Sequence, residues 1–296
     1  MMKNFIGAGL VAAGALMFAP DAHATTTTTV NTTSNVVFLV DESGSMTTEH
    51  QFLKDVILDL DAGLDSAGVT DRSYGVVGFG ASNPAPRTIS DGILDSAADT
   101  LTEFSNLVLT GSEEDGYAAI EFARTAFNYA QGAAINFILV TDEDRDNMGN
   151  SLTYSSILSA LKGQNILLNA IINNPFGSDS NSVGTALGID SDGTAYIADG
   201  TGFTTDIGAF IGNGAGTTED DYAKLALATG GAAWDLNKIR AGGDTAEAFS
   251  SAFVTIKVQE ITTQPPSGQI PLPAGGWLLL TGLGGLAALR RKRRAA

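Results

Sequence analysis

Between residues 35 and 260 the chain alternates short, continuously apolar runs with longer stretches whose apolar residues recur at helical spacing. Asn35 to Val40, Tyr74 to Phe79, Ile135 to Val140, Asn165 to Ile172 and Ala232 to Leu236 are runs of strand length, rich in β-branched, aromatic and aliphatic residues. Their continuity predicts strands buried on both faces. Leu53, Ile57, Leu60 and Leu64 form the stripe of an amphipathic helix. Helices are expected likewise over Gly116 to Ala130, near Tyr154 to Leu161, around Asp220 to Ala228 and from about Asp244 to Val258. This order predicts one α/β domain over 35–260, a doubly wound, mostly parallel sheet with helices on both faces. Residues 173–218 break the rhythm. They are rich in Gly, Asp, Ser and Thr around one apolar piece, Ala195-Tyr-Ile197, and read as an insertion or long loop system.

Both ends depart from this pattern. Residues 1–24 have the layout of a secretory signal peptide, with Lys3, an apolar run from Phe5 to Phe18, and Ala22-His23-Ala24 as a cleavage site. The run is about 14 residues, short of the ~20 that span a bilayer. Residues 25–34 are a polar, Thr-rich leader with no face to bury. After a linker over 261–270, the segment 271–296 carries Pro271-Leu-Pro-Ala274, an apolar stretch from Gly275 to Leu289 and the basic cluster Arg290, Arg291, Lys292, Arg293 and Arg294. Physically this is a short hydrophobic helix with a positive stop, a transmembrane element of marginal length. The tail resembles C-terminal sorting signals of the PEP-CTERM type, in the variant reading Val-Pro-Leu-Pro-Ala, with Ile270 in the place of Val. That resemblance implies a Gram-negative envelope, an exosortase-type processing enzyme, membrane attachment through the C-terminal helix before processing, and export linked to extracellular polysaccharide. Leu272-Pro-Ala-Gly-Gly276 also echoes the Gram-positive LPxTG signal, but Gly275 stands where the Thr belongs. A simple retained anchor is the alternative.

Charge sharpens the picture. The chain carries 16 Lys and Arg against 33 Asp and Glu, a net charge of −17. Five of the cations lie in the tail, so the middle is more acidic than the total suggests. Such a surface excludes nucleic acid as a partner. Cysteine is absent, and His23 and His50 are the only histidines. Disulfides, thiol catalysis, His-based triads and HExxH zinc sites are therefore excluded.

Candidate chemistry gathers at the carboxyl ends of the expected strands, where open α/β sheets bind ligands. Asp41-Glu42-Ser43-Gly44-Ser45-Met46 follows the first strand, Thr141-Asp142-Glu143-Asp144 follows the strand ending at Val140, and Ser112-Glu113-Glu114-Asp115-Gly116 precedes a helix. These groups offer oxygen donors only, which select hard cations such as Mg²⁺, Ca²⁺ or Mn²⁺.

Asp41-x-Ser43-x-Ser45 after a buried strand, with Thr141-Asp142 after a later one and an Ala-Thr-Gly-Gly turn at 228–231, resembles the metal-ion-dependent adhesion site (MIDAS) of the von Willebrand factor A (VWA) family, a Rossmann-like fold. The resemblance implies a divalent cation, Mg²⁺ or Ca²⁺, at Asp41, Ser43, Ser45 and Asp142. The middle ligand, commonly a Thr, falls on Glu114, because Glu114-Asp-Gly-Tyr-Ala-Ala-Ile120 resembles the integrin β-subunit version; Thr110 and Ser112 are the alternatives. With Glu114 the shell carries three carboxylates, so it is expected to hold its ion harder and attract an acidic partner less. An exported cell-surface or matrix-associated protein, not an enzyme, is implied, one that binds a carboxylate of a protein or polysaccharide partner. The alternatives are a structural exopolysaccharide-matrix protein with a fold-stabilising cation and a metal-dependent hydrolase using Glu42, Glu143, Asp144 or Asp146 as a base.

The remaining features read as structure. His50 is expected at the surface. Of a neighbouring second metal site only Glu49 could contribute. Asp190-Ser-Asp192-Gly193 and Asp179-Ser-Asn181 resemble fragments of calcium loops and are explained by turn chemistry. Gly212-Asn-Gly-Ala-Gly216 lacks the preceding strand and Lys of a phosphate loop, and reads as a flexible loop.

Overall fold

A computed structural model describes residues 30–89, 91–147 and 151–266. The signal peptide, most of the leader and the sorting signal expected above lie outside the described residues. In chain order the elements are β1 (Thr33–Asp41), α1 (Thr47–Ser66), β2 (Asp71–Phe79), β3 (Arg87–Thr88), α2 (Ala97–Ser105), α3 (Gly116–Ala126), β4 (Ala134–Thr141), α4 (Tyr154–Gly163) and β5 (Ile166–Ile172). Then follow β6 (Phe176–Ser178), β7 (Asn181–Asp190), β8 (Thr194–Asp199), β9 (Gly202–Ile207) and β10 (Phe210–Ile211). A π-helical turn (Glu219–Ala223) leads into α5 (Lys224–Thr229), β11 (Ala232–Asp235), α6 (Asn237–Ala241) and α7 (Gly243–Thr263).

The five apolar runs pair in parallel in the order β2-β1-β4-β5-β11, which makes the centre of the sheet a doubly wound α/β layer. In β1, Val36, Phe38 and Val40 pack into the core under α1 and α7, while Val37 and Leu39 enter the core under α3, α4 and α5. Burial on both faces is why these strands read as unbroken apolar runs rather than as an alternation.

The flanks differ from expectation. Within the expected loop system, residues 176–211 form five antiparallel strands, β6 to β10, joined to the parallel centre by β7 pairing with β11. Short strands of Thr, Asp and Gly with one solvent-facing side carry little hydrophobic signal, so their pairing was not legible. β1 begins at Thr33, inside the stretch expected as leader, and Asn31 is buried with its Nδ2 donating to the Ile261 carbonyl at 2.9 Å. α7 runs to Thr263, past the expected end. No described helix is long and apolar enough to cross a membrane.

Candidate metal centre

Asp41 is the last residue of β1, and Thr141 ends the neighbouring β4 with Asp142 directly after it, so the parallel register brings them to one edge. Asp41 is fully buried. Its Oδ1 accepts from the Ser43 amide at 2.7 Å and its Oδ2 from the Thr141 hydroxyl at 2.8 Å. The Ser43 and Ser45 hydroxyls lie 3.1 Å apart, and Ser45 Oγ donates to Asp142 Oδ1 at 2.9 Å. Ser43 Oγ, Ser45 Oγ and Asp142 Oδ1 thus form a hydrogen-bonded chain of oxygens, tied to Asp41 through the Ser43 amide.

Glu114 joins them from the loop before α3. Asp115 caps that helix, accepting from the Tyr117 and Ala118 amides, and is held by a buried ion pair with Arg145 at 2.7 Å. Tyr222 fixes the same corner by accepting from the Gly116 amide at 3.1 Å. Glu114 is thereby buried beside Asp41, and its Oε1 has no hydrogen-bond partner. Burial, reinforced by repulsion from Asp41, Asp146 and Glu143, pushes its carboxyl up to about 8. Burial likewise pushes Asp41 up to about 6. Gly80, after β2, makes the approach possible: with φ at +77° it holds a backbone that L side chains rarely adopt, and an added Cβ would lie 2.9 Å from Glu114 Cγ and 3.2 Å from Asp41 Oδ1. Thr110 and Ser112 stand farther out. Both are exposed, and the Thr110 hydroxyl accepts from the Ser82 amide.

An oxygen-only set, an unpartnered buried carboxylate oxygen and a glycine cradle fit a hard divalent cation. Among the described residues no three carboxylate or imidazole groups converge closely enough to hold an ion by themselves, so the serine hydroxyls have to supply part of the shell.

Arg240 of α6 changes the charge picture. Its Nη2 donates to Asp142 Oδ2 at 2.7 Å and its Nε to Glu49 Oε1 at 2.7 Å. One of the three carboxylates counted in the shell is therefore already paired with a guanidinium. Glu49 is fully buried, with its Oε1 held by the same arginine. Nothing in the local pattern of Asn237-Lys-Ile-Arg240 signals this reach, because its partner Asp142 is distant in sequence.

Other expectations shift. His50 is buried, not at the surface: it lies on the inner side of α1, and its Nε2 donates to the Asp41 carbonyl at 2.8 Å. Glu42 is buried under the site, paired with Arg87 at 2.6 Å and accepting from the Val108 amide, so it is not a base facing a substrate. Asp146 accepts from the Glu114 amide, while Glu143 is exposed at the rim. Asp190 caps a hairpin, taking the amides of Asp192 and Thr194 and the Tyr196 hydroxyl, and Asp206 gathers Ser178, Ser180 and Asn181. The 212–216 loop is not simply flexible: an added Cβ on Gly216 would lie 2.0 Å from the Asp144 carboxylate, and one on Gly214 would lie 1.9 Å from Asn174 Oδ1.

No protein-family model matches the chain, and no curated protein matches it in sequence. Among solved structures it is similar to BatB, a conserved hypothetical protein from Bacteroides thetaiotaomicron, at 14% identity over 77% of this chain and 99% of that one, with a TM-score of 0.45. It is similar to proximal thread matrix protein 1 from the mussel byssus at 18% identity over 48% of this chain, with a TM-score of 0.38; the match spans 37% of the mussel protein's length. A form of that mussel protein has a zinc-occupied MIDAS motif. A von Willebrand factor type A protein from Catenulispora acidiphila is similar at 20% identity over 48% of this chain and 33% of that one, with a TM-score of 0.37. Of the neighbours named, the Catenulispora protein is described as von Willebrand factor type A, and at these identities the likeness is one of fold alone.

Proposed function

We propose that this chain is an exported adhesion module of the cell envelope, cell surface or extracellular matrix. It binds a carboxylate of a protein or polysaccharide partner through one divalent cation, Mg²⁺ or Ca²⁺, held at Asp41, Ser43, Ser45, Glu114 and Asp142. The observation that carries this reading is the Glu114 carboxylate, buried beside Asp41 with one oxygen unpartnered, at the sheet edge where two serine hydroxyls converge. Leaving such a group unsatisfied costs about 1–3 kcal/mol or more, which a bound cation recovers. When bound, the cation supplies an electrophilic position for an incoming carboxylate. Asp41 and Asp142 orient the hydroxyls and the surrounding water, while Arg240 offsets part of the negative charge that would otherwise repel an acidic partner. The signal peptide and the exosortase-type tail deliver the module to the envelope.

Binding of Mg²⁺, Mn²⁺ and Ca²⁺ to wild type and Asp41→Ala, followed by calorimetry, tests the site. Partner capture from the envelope of the same organism with and without EDTA tests its use. One ion per chain, lost with Asp41→Ala, and capture abolished by EDTA are expected. Capture that ignores the chelator would overturn the adhesion mechanism.

A further inference from the structure

The sheet face covered by α7 carries a polar group that the metal centre does not use. Lys257 of α7 is completely buried, with its Nζ 2.7 Å from Glu260 Oε2 and 3.2 Å from Asn136 Oδ1. Asn136 interrupts the apolar run of β4 and is itself fully buried, its Nδ2 donating to Gln264 Oε1 at 2.8 Å. Glu260 Oε2 also accepts from Asn169 Nδ2 at 2.8 Å, and Asn169 in turn accepts from Trp234 Nε1 at 2.9 Å. A lysine, a carboxamide and a carboxylate are thus fixed in contact within an aromatic core that includes Trp234, Phe249 and Phe253.

We propose that Lys257 and Asn136 join in an intramolecular isopeptide bond that ties α7 to β4, with Glu260 as the proton-transfer group. Glu260 takes a proton from the Lys257 ammonium and leaves a neutral amine. Nζ then attacks Asn136 Cγ. As the new N–C bond forms, Glu260 gives its proton to Nδ2 and accepts the one that Nζ sheds, the Cγ–Nδ2 bond breaks, and ammonia leaves. No oxidant or co-reactant is consumed.

Three features favour the step. Desolvation lowers the Lys257 ammonium below the ordinary lysine range, which is how buried lysines become nucleophiles. The hydrogen bonds from Asn136 to Gln264 and from Lys257 to Glu260 hold the reacting groups together, replacing a bimolecular encounter by a positioned one. The product is a neutral amide where the reactants included a buried ammonium, so the reaction removes a charge that the core has to desolvate. A cleft of about 300 Å³ is lined by Glu260 and Gln264, the hydrogen-bond partners of Lys257 and Asn136, and is where the ammonia would emerge. The link closes a loop of about 120 residues in a chain that has no cysteine for a disulfide. It also joins the helix leading to the C-terminus to a central strand, so tension on the tail would pass to the sheet rather than peel α7 away.

Peptide mapping of the purified full chain by mass spectrometry is the test, and it does not depend on how the termini are processed. A branched peptide joining the Asn136 and Lys257 segments is expected, lighter by about 17 Da, the mass of ammonia, than the two peptides together. Glu260→Gln, which keeps the shape but not the proton transfer, is expected to yield the two peptides separately. Asn136→Asp is expected to form the link with loss of water, about 18 Da, instead. Separate, full-mass peptides from wild type after prolonged incubation would overturn the proposal whatever the variants do. A link that survives intact in Glu260→Gln would overturn the role given to Glu260.

Discussion

Arg240 Nη2 lies 2.7 Å from Asp142 Oδ2, so the carboxylate that ends the candidate metal centre already carries a positive partner. The same side chain holds the buried Glu49, and its Nη2 also donates to the Ser45 carbonyl at 3.3 Å. Three acidic ligands alone would hold a cation tightly and blunt its attraction for another acid. Arg240 shares its single positive charge between Asp142 and the buried Glu49, so it offsets part of the charge on Asp142 and eases the approach of an acidic partner.

Arg240→Gln is therefore expected to tighten Mg²⁺ binding by a factor on the order of ten, because a charge repelling the dication at short range is removed. The same variant should weaken capture of the acidic partner. Arg240→Lys keeps the charge and should leave the metal affinity near wild type. Calorimetric titration of the three proteins checks this, and equal or weaker binding by Arg240→Gln would contradict it.

Glu114→Gln separates stability from function. Without an ion, the Glu114 carboxyl is buried, unpartnered at Oε1 and pushed up to about 8 by burial and by Asp41 and Asp146, so at neutral pH folding has to protonate it. Neutralising it should stabilise the ion-free protein by about 1 kcal/mol, raising Tm by about 3 °C. It should also abolish most of the Tm rise that Mg²⁺ gives to wild type. Thermal melts in EDTA and in Mg²⁺ test both halves. An ion-free melting point that falls in Glu114→Gln would mean that the carboxylate serves the fold.

The pH dependence follows from the same two acids. Burial raises Asp41 to about 6 and Glu114 to about 8, above where they titrate in the unfolded chain. They bind protons more tightly when folded, so they contribute stability that is present below the ordinary carboxylate range and is lost as pH rises through those values. In chelator, Tm should fall between about pH 5 and about pH 9, whereas the gain from saturating Mg²⁺ should grow over the same interval, since the ion binds the deprotonated ligands. Melting curves across that range, with EDTA and with Mg²⁺, are the measurement.

The two halves of the molecule were legible to different degrees, for physical reasons. Val36 to Val40 and Phe137 to Val140 are buried on both faces, so their unbroken apolar character announces parallel strands and places Asp41 and Asp142 at the same edge. Residues 176–211 form strands in which Thr, Ser and Asp face solvent and the backbone ladder does the organising, and composition is silent about such pairing. The site showed the same divide. Asp41, Ser43 and Ser45 are close in sequence and form a pattern, whereas Arg240 meets Asp142 only through the packing of α6. His50 reads as surface because a histidine near a polar loop carries no burial signal of its own, whereas the helix phase turns it under Asp41.

Gly80 tests whether the geometry at this edge is what the cation needs. Two effects follow from adding a methyl there. The backbone, at φ +77°, resists any L side chain, and the new Cβ would press on Glu114 Cγ at 2.9 Å and Asp41 Oδ1 at 3.2 Å. The strain alone costs about 1–2 kcal/mol. Gly68 supplies the control: its φ is +87°, and an added Cβ would meet nothing within 4 Å. Both Gly80→Ala and Gly68→Ala should therefore lower Tm, by a few degrees in the case of Gly68→Ala. Only Gly80→Ala should also lose Mg²⁺ binding, because only there does the methyl displace the two carboxylates from each other. Comparing melts with titrations in the pair distinguishes backbone strain from ligand displacement. Intact metal affinity in Gly80→Ala would show that Glu114 and Asp41 need not approach each other for the ion to bind.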